Sequence, residues 1–145
     1  MDPRGLIMVH PVWQVASTLL GFYAAWFGIK RLRSLHLGHQ VSFPRARHVL
    51  LGKLALMGLI LGTAGGAIMV RWMWRGWLVT GAHAWLGMVV AVLALLGLTT
   101  GLVLERRPRP RRALPLLHGL ANLTLLALCL VNFYFGDHIL DALGD

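Results

Sequence analysis

The sequence predicts an all-α membrane protein, an antiparallel up-down-up-down bundle of four transmembrane helices. Of its 145 residues 57% are hydrophobic and only 13% are charged, and the mean hydropathy is +0.68. The apolar residues form four stretches of about 20 residues or more, the length that crosses a hydrocarbon core as a helix. A soluble domain of this size would alternate apolar residues with polar faces. We therefore expect a single transmembrane domain over residues 1–145.

The four spans are expected at about residues 6–29, 48–70, 80–104 and 114–135. The first is too long for a signal peptide and lacks a small-residue cleavage pattern, so we expect it to remain in the protein. It is followed by a basic connection, 30–47. The second connection, 71–79, carries three tryptophans that suit an interfacial aromatic belt. The third, 105–113, has five arginines and two prolines that end the helix, Pro108 and Pro110.

The charged residues are distributed unevenly between the two ends of these spans. One end collects eleven basic residues and one acid, Glu105, whereas the other has three basic and four acidic residues. By the positive-inside rule the basic connections are cytoplasmic, so both termini would be periplasmic in a bacterial inner membrane. Because the basic residues lie in short connections and form no stripe along a soluble helix, the net charge of +9 does not indicate a nucleic acid as partner.

A histidine lies near the beginning of every span. Ionisable groups near membrane depth are costly and usually have a partner or a ligand, so the repetition indicates a function. Consecutive spans run in opposite directions, and helices 1 and 3, like helices 2 and 4, are diagonal in such a bundle. We predict that His10 and His83 are the axial iron ligands of an outer haem, and His48 and His118 those of a cytoplasmic-side haem. Both would be haem b, because the sequence has no C-x-x-C-H motif.

The helix face below each histidine is rich in small residues. Offsets of 4, 7, 11, 14 and 18 share one face, and a glycine occupies the offset of 18 in all four spans. Eighteen residues span about 27 Å, so each helix would ligate one haem at its start and leave room for the other near its end. The cofactor-binding residues predicted from this face are Gly52, Gly66, Gly87, Gly101, Gln14 and Asn122. Alternatively, the glycines form small-xxx-small packing faces. The two amides could hydrogen-bond a haem edge or a quinone, or serve helix packing.

Short motifs around the histidines add a family resemblance. They are His10-Pro11, Arg47-His48 with Gly52, His83 with Gly87, and His118-Gly119 with Asn122. Over residues 6 to about 136, the chain resembles the cytochrome b561 superfamily, in a minimal four-helix form. The resemblance implies a membrane electron carrier whose four-helix core binds two b haems through histidines on alternating helices. Typical members have six helices, and the ascorbate-dependent activity of the animal and plant members has no matching substrate site here.

The leading functional hypothesis is a dihaem cytochrome that carries electrons across the membrane between a quinone on one side and a redox protein or ferric chelate on the other. Alternatively, the chain is the haem b anchor subunit of a larger quinone-linked oxidoreductase, bound to partner subunits. A third hypothesis is a haemless structural membrane protein. A transporter with a carboxylate relay is disfavoured, because no predicted span contains Asp or Glu.

Haem propionates need cationic partners near the membrane surface. Arg47 and Lys53 could serve the cytoplasmic-side haem, and Arg71 and Arg75 the outer one, although topology alone also explains these residues.

The remaining histidines and the cysteine carry weaker signals. His36 and His39, an H-x-x-H pair in the basic connection, could bind a metal or a soluble donor, or be solvated. His138 lies among acidic residues past the last span and is expected to be exposed. The single Cys129 excludes an intrachain disulfide and is expected to be a packing residue.

Overall fold

The computed structural model describes residues 3–107, 109 and 111–144, with the side chains of residues 3, 4, 6 and 141–144 left out. Pro108 and Pro110, which were expected to end the third span, lie outside the described residues. The described chain folds into four α-helices: α1 (Pro3–His36), α2 (Arg45–Trp74), α3 (Ala82–Arg106) and α4 (Ala113–Gly144). All four are long and apolar enough to cross a membrane. The predicted fold class is confirmed: this is an all-helical integral membrane protein in contact with lipid.

Helices α1, α2 and α4 run beyond both ends of the apolar stretches that predicted them, whereas α3 begins and ends two residues later than its predicted span. The expected connection 30–47 is wrong in extent, because α1 continues to His36 and α2 begins at Arg45. Apolarity marks only the part of a helix inside the hydrocarbon, whereas lysine and arginine are good helix formers that extend it into the interface. His36 is therefore the last residue of α1, and His39 alone of that pair lies in the connection.

Each helix packs against its two neighbours in a closed ring. Helix α1 packs along α2 and α4, and α3 packs along the same two helices, whereas the backbones of diagonal helices do not approach each other closely in the described part of the chain. The closest packing is within the first hairpin (α1 and α2) and within the second (α3 and α4). With short connections, this ring is the up-down-up-down arrangement expected from the sequence.

The centre of the bundle is closely packed. The residues 7 and 11 positions after each histidine face inward, and all of them except Gly21 are buried. They are Ser17, Ala55, Val90 and Leu125 at the first offset, and Gly21, Leu59, Ala94 and Cys129 at the second. Leu59 and Leu125 are only 1% exposed. This apolar layer separates the two ends of the bundle, where the histidines lie.

Close packing within the first hairpin yields a stability prediction at Gly58. A Cβ on Gly58 would collide with the Ser17 hydroxyl and lie 3.1 Å from Ser17 Cβ, whereas a Cβ on Gly65 would meet nothing within 4 Å. Because overpacking costs about 1–3 kcal/mol, we expect G58A to lower the free energy of unfolding by about that amount. The matched G65A variant should be neutral or gain up to about 1 kcal/mol from helix propensity. Circular dichroism during unfolding by SDS in mixed micelles measures both, and equal effects would contradict the packing described.

Candidate functional site

The histidines at the helix beginnings meet across the diagonals of the bundle. The ring centres of His10 and His83 are 6.1 Å apart, and those of His48 and His118 are 6.3 Å apart. In both pairs the ring planes are nearly perpendicular, at 87° and 83°. All four side chains are half-buried. The structure therefore brings together the two pairs that the topology predicts, one at each end of the bundle.

Three of the four imidazoles bond the main chain of the neighbouring helix within their own hairpin. In each of the three, Nδ1 lies within hydrogen-bond distance of a backbone carbonyl oxygen: His10 with Gly62 (3.0 Å), His48 with Ala24 (2.9 Å) and His83 with Asn132 (3.1 Å). A carbonyl oxygen only accepts, so Nδ1 carries the proton and Nε2 carries the free lone pair. In His118, Nδ1 lies 2.9 Å from the Thr100 hydroxyl instead.

A glycine on the neighbouring helix makes each of these contacts possible. A Cβ on Gly66 would lie 2.5 Å from His10 Cε1 and 2.7 Å from its Nδ1, and the other glycines pack on a ring in the same way: Gly28 on His48, Gly136 on His83 and Gly101 on His118. A helical side chain covers the turn before its own Cα. A glycine therefore uncovers the carbonyl four residues earlier, and Gly62, Ala24 and Asn132 stand at that position.

The four glycines that lie 18 residues after each histidine thus each contact a histidine ring, which the sequence did not indicate. Each one packs against the imidazole ring of the other helix in its hairpin. The contacts are reciprocal: Gly28 of α1 packs on His48 of α2, and Gly66 of α2 packs on His10 of α1. The small-xxx-small alternative describes the same residues as helix packing. Here the glycines pack against histidine rings.

The spacing of each pair suits two axial ligands of one metal atom. An imidazole nitrogen lies about 1.1 Å from its ring centre and binds a transition metal at about 2 Å, so two such ligands have ring centres about 6.2 Å apart. No group of three or more His, Cys, Asp or Glu side chains occurs in the described part of the chain. Each pair offers two imidazoles, so a metal held there needs its remaining ligands from a chelating group.

A cavity of about 800 Å³ lies at the basic end of the bundle and is lined by both His48 and His118. Small residues of the other diagonal helices border it, Gly28 on α1 and Gly101 on α3 among them, and Gly52 and Asn122 also line it. Its size is within the range of sites for small-molecule cofactors. Because residues of all four helices line it, the cavity crosses the bundle between the two hairpins.

The two amides fill notches left by glycines in the partner helix of the same hairpin. A Cβ on Gly62 would lie 2.9 Å from Gln14 Cδ, and a Cβ on Gly97 would collide with the Asn122 carboxamide. The Asn122 amide donates to the His118 carbonyl oxygen (2.7 Å). The packing alternative for both residues is therefore present in the structure. Gly87, whose Cβ would lie 3.7 Å from Asn132 Nδ2, makes only an ordinary contact.

Basic side chains gather at the open end of the cavity, but in a different set from the one expected. Lys53 lines the cavity and forms an ion pair with Glu105 (2.7 Å), whereas Arg47 is exposed and is not among the lining residues. The cationic residues that line the cavity are Arg31, Arg45, Lys53, Arg109 and Arg111. Arg45 also donates to the Glu105 carbonyl oxygen (2.9 Å), which ties the start of α2 to the end of α3.

The other residues noted in the sequence lie apart from the histidine pairs. Arg71 stacks over the Trp77 ring at 6.0 Å and, with Arg75, lines a shallow depression to which no histidine contributes. His36 lines the basic end of the large cavity, and His39 is exposed. His138 is exposed and packs on Tyr134 of its own helix, with ring centres 4.4 Å apart.

Comparison with protein-family models, curated proteins and solved structures finds no match for this sequence. Sequence reasoning missed Thr100 and the three carbonyl acceptors. The position of each carbonyl follows from the glycine four residues later, so the glycine spacing carried that signal.

The seat of His10 on Gly66 gives a prediction that can be tested by NMR. We expect the parent protein to show four slowly exchanging imidazole Nδ1–H protons in detergent micelles, because each has an acceptor inside the bundle. A methyl group in G66A must displace the His10 ring, so one of the four should disappear. G65A is the matched control, since Gly65 is exposed with open space at its Cβ. Four protected protons in G66A would show that the glycine is not needed.

Proposed function

We propose that the protein is a dihaem b-type membrane cytochrome that carries electrons across the membrane between two bis-histidine haems, one near each face. His10 and His83 would hold the outer haem, and His48 and His118 the cytoplasmic-side haem. The proposal keeps the resemblance to the cytochrome b561 superfamily that the histidine motifs suggested.

One observation supports the proposal most strongly. Two diagonal histidine pairs stand at opposite ends of a membrane bundle, with ring centres 6.1 and 6.3 Å apart. In three of these residues a carbonyl oxygen accepts from Nδ1–H, which leaves Nε2 as the nitrogen available to a metal. A porphyrin would supply the further nitrogen ligands that the described residues lack. The cavity at the basic end is bordered by Gly28, Gly52 and Gly101, which leave room for a flat macrocycle.

The chain's own residues would each have a defined task. Bound haem iron exchanges one electron at a time between its ferric and ferrous states. The carbonyls and Thr100 fix the tautomer and orientation of the four ligands. The buried layer around Leu59 and Leu125 keeps water from the centre of the bundle. The arginines at the open end of the cavity are suited to haem carboxylates, whereas Lys53 there is paired with Glu105.

The partners follow from the short connections. Described helices are joined by segments of only 37–44, 75–81 and 107–112, too short to fold into a substrate-binding domain. Electrons would be exchanged with partners that approach the two faces, such as a quinone within the membrane and a redox protein or ferric chelate outside it. An anchor subunit of a larger quinone-linked oxidoreductase uses the same two haems and differs in carrying a bound soluble subunit.

Double alanine variants test both the haems and their pairing. H10A/H83A removes both ligands of one site, so it should keep one low-spin haem b per chain. H10A/H48A removes one ligand from each site, so it should keep no low-spin haem. H39A/H138A is the control and should match the parent protein, because both residues are exposed and outside the pairs. The readouts are the pyridine haemochrome stoichiometry and the reduced-minus-oxidised spectrum, with helix content as the check on folding.

The pattern across these variants separates the alternatives. Low-spin haem retained in H10A/H48A but lost from H10A/H83A would contradict the diagonal pairing. A folded parent protein without haem, made where haem is abundant, would indicate a structural membrane protein. Co-purification of a soluble redox subunit with the haem-loaded chain would favour the anchor role.

The charge distribution predicts the orientation of the proposed electron path. Basic residues crowd the end of the bundle that holds His48 and His118, so that end should be cytoplasmic, with both termini in the periplasm of a bacterial inner membrane. Alkaline phosphatase fused after residue 145 should be active, and the same enzyme inserted within 37–44 should be inactive. The reverse activities would contradict the orientation. The haem of His10 and His83 would then be the one on the cytoplasmic side.

A further inference from the structure

One of the four imidazoles is held by a side chain, and the other three are held by the main chain. His118 Nδ1 lies 2.9 Å from Thr100 Oγ1, whereas the acceptors for His10, His48 and His83 are carbonyl oxygens. The glycine contact is the same at all four sites, because Gly101 packs on the ring of His118 as the other three glycines pack on theirs. The His118 site therefore differs from the other three at this hydrogen bond, which a substitution can remove.

The surroundings of Thr100 define the direction of the bond. Its single hydroxyl proton donates to the carbonyl oxygen of Leu96 (2.7 Å), the nearest acceptor, while the Gly97 carbonyl oxygen lies 3.1 Å away. Thr100 Oγ1 must then accept from His118 Nδ1–H. Gly97 stands four residues before Gly101, where the other three sites have their carbonyl acceptor. The Thr100 hydroxyl is within hydrogen-bond distance of both that carbonyl oxygen and the imidazole.

The other polar neighbour of His118 does not replace this acceptor. Asn122 Nδ2 lies 3.3 Å from His118 Nδ1, but its N–H groups only donate, and one of them bonds the His118 carbonyl oxygen at 2.7 Å. Thr100 is thus the side chain that accepts the Nδ1 proton.

We propose that Thr100 is a positioning residue for His118 that sets the redox potential of the cytoplasmic-side haem apart from that of the outer haem. The inference rests on the proposed function. An acceptor on Nδ1–H fixes the tautomer and makes the imidazole a stronger electron donor to a metal, which stabilises the ferric state. Donation to a backbone carbonyl makes the hydroxyl oxygen more negative, which strengthens it as the acceptor for the imidazole N–H.

Three single variants test the role. T100V keeps the shape of the side chain and removes the hydroxyl, and T100S keeps the hydroxyl. T99V is the matched control, because Thr99 is exposed and its hydroxyl bonds only the Leu96 carbonyl oxygen (3.0 Å). Each is titrated for its two midpoint potentials, and the ferric haems are compared by low-temperature electron paramagnetic resonance.

We expect T100V to raise one midpoint potential and leave the other unchanged. A tenfold loss of ferric over ferrous stabilisation, the lower end of what removal of such a partner costs a metal site, is a rise of 59 mV for a one-electron couple. T100S should restore the parent potential, and T99V should not alter it. In the H10A background, which keeps the cytoplasmic-side haem as its only low-spin haem, the T100V shift should persist. In the H48A background, which keeps the outer haem, it should be absent.

Other outcomes also decide the matter. Loss of one low-spin haem from T100V, with both retained in T100S and T99V, supports the positioning role. Unchanged potentials and spectra in a haem-loaded T100V protein, or an equal shift of both potentials, overturn this inference and leave the proposed function standing. Absence of haem from the parent protein overturns the proposed function, and the inference fails with it.

Discussion

The imidazole Nδ1–H of each paired histidine needs an acceptor inside the membrane, and the rest of the structure is organised around providing one. Away from the last turn, each backbone carbonyl of a transmembrane helix already accepts from its own helix, so an outside donor reaches it only where no side chain covers it. The glycines that pack on the four rings expose such positions. Each hairpin contains two of these contacts in opposite directions, which fixes the register of its helices: His10 lies against Gly66 and His48 against Gly28. The second hairpin repeats the arrangement with His83 and His118.

Once the hairpins are fixed, the diagonal pairs follow. The ring of four helices brings one histidine from each hairpin to the same end of the bundle, with the ring centres about 6 Å apart. The hairpins pack closely within themselves and separate at the basic end, where the cavity crosses the bundle between them. A cofactor bound by both hairpins would then join the two halves of the protein. The apolar layer at the centre stands between the two pairs, so each end has its own surroundings.

Much of this arrangement could be read from the sequence, because membrane helices obey two simple periodicities. Apolar length gave the number of helices, their alternation sorted the histidines by end, and the 3.6-residue period identified the inward face on which Leu59 and Ala94 are buried. Hydropathy could not predict the helix ends. The basic segment 30–36 is helical like the apolar segment before it, because helical backbone hydrogen bonds do not depend on the hydropathy of the side chains. Nor could hydropathy predict the pairing of Lys53 with Glu105, or of His118 with Thr100, because both join helices whose relative rotation becomes known only after packing.

The central claim is that two histidine pairs hold two haems in one small membrane chain. The most direct test is the pyridine haemochrome assay on the purified parent protein, expressed with haem in excess, with the low-spin fraction taken from the oxidised and dithionite-reduced spectra. The account predicts two haem b per chain, both low-spin and six-coordinate. A folded protein that binds no haem under these conditions would contradict it.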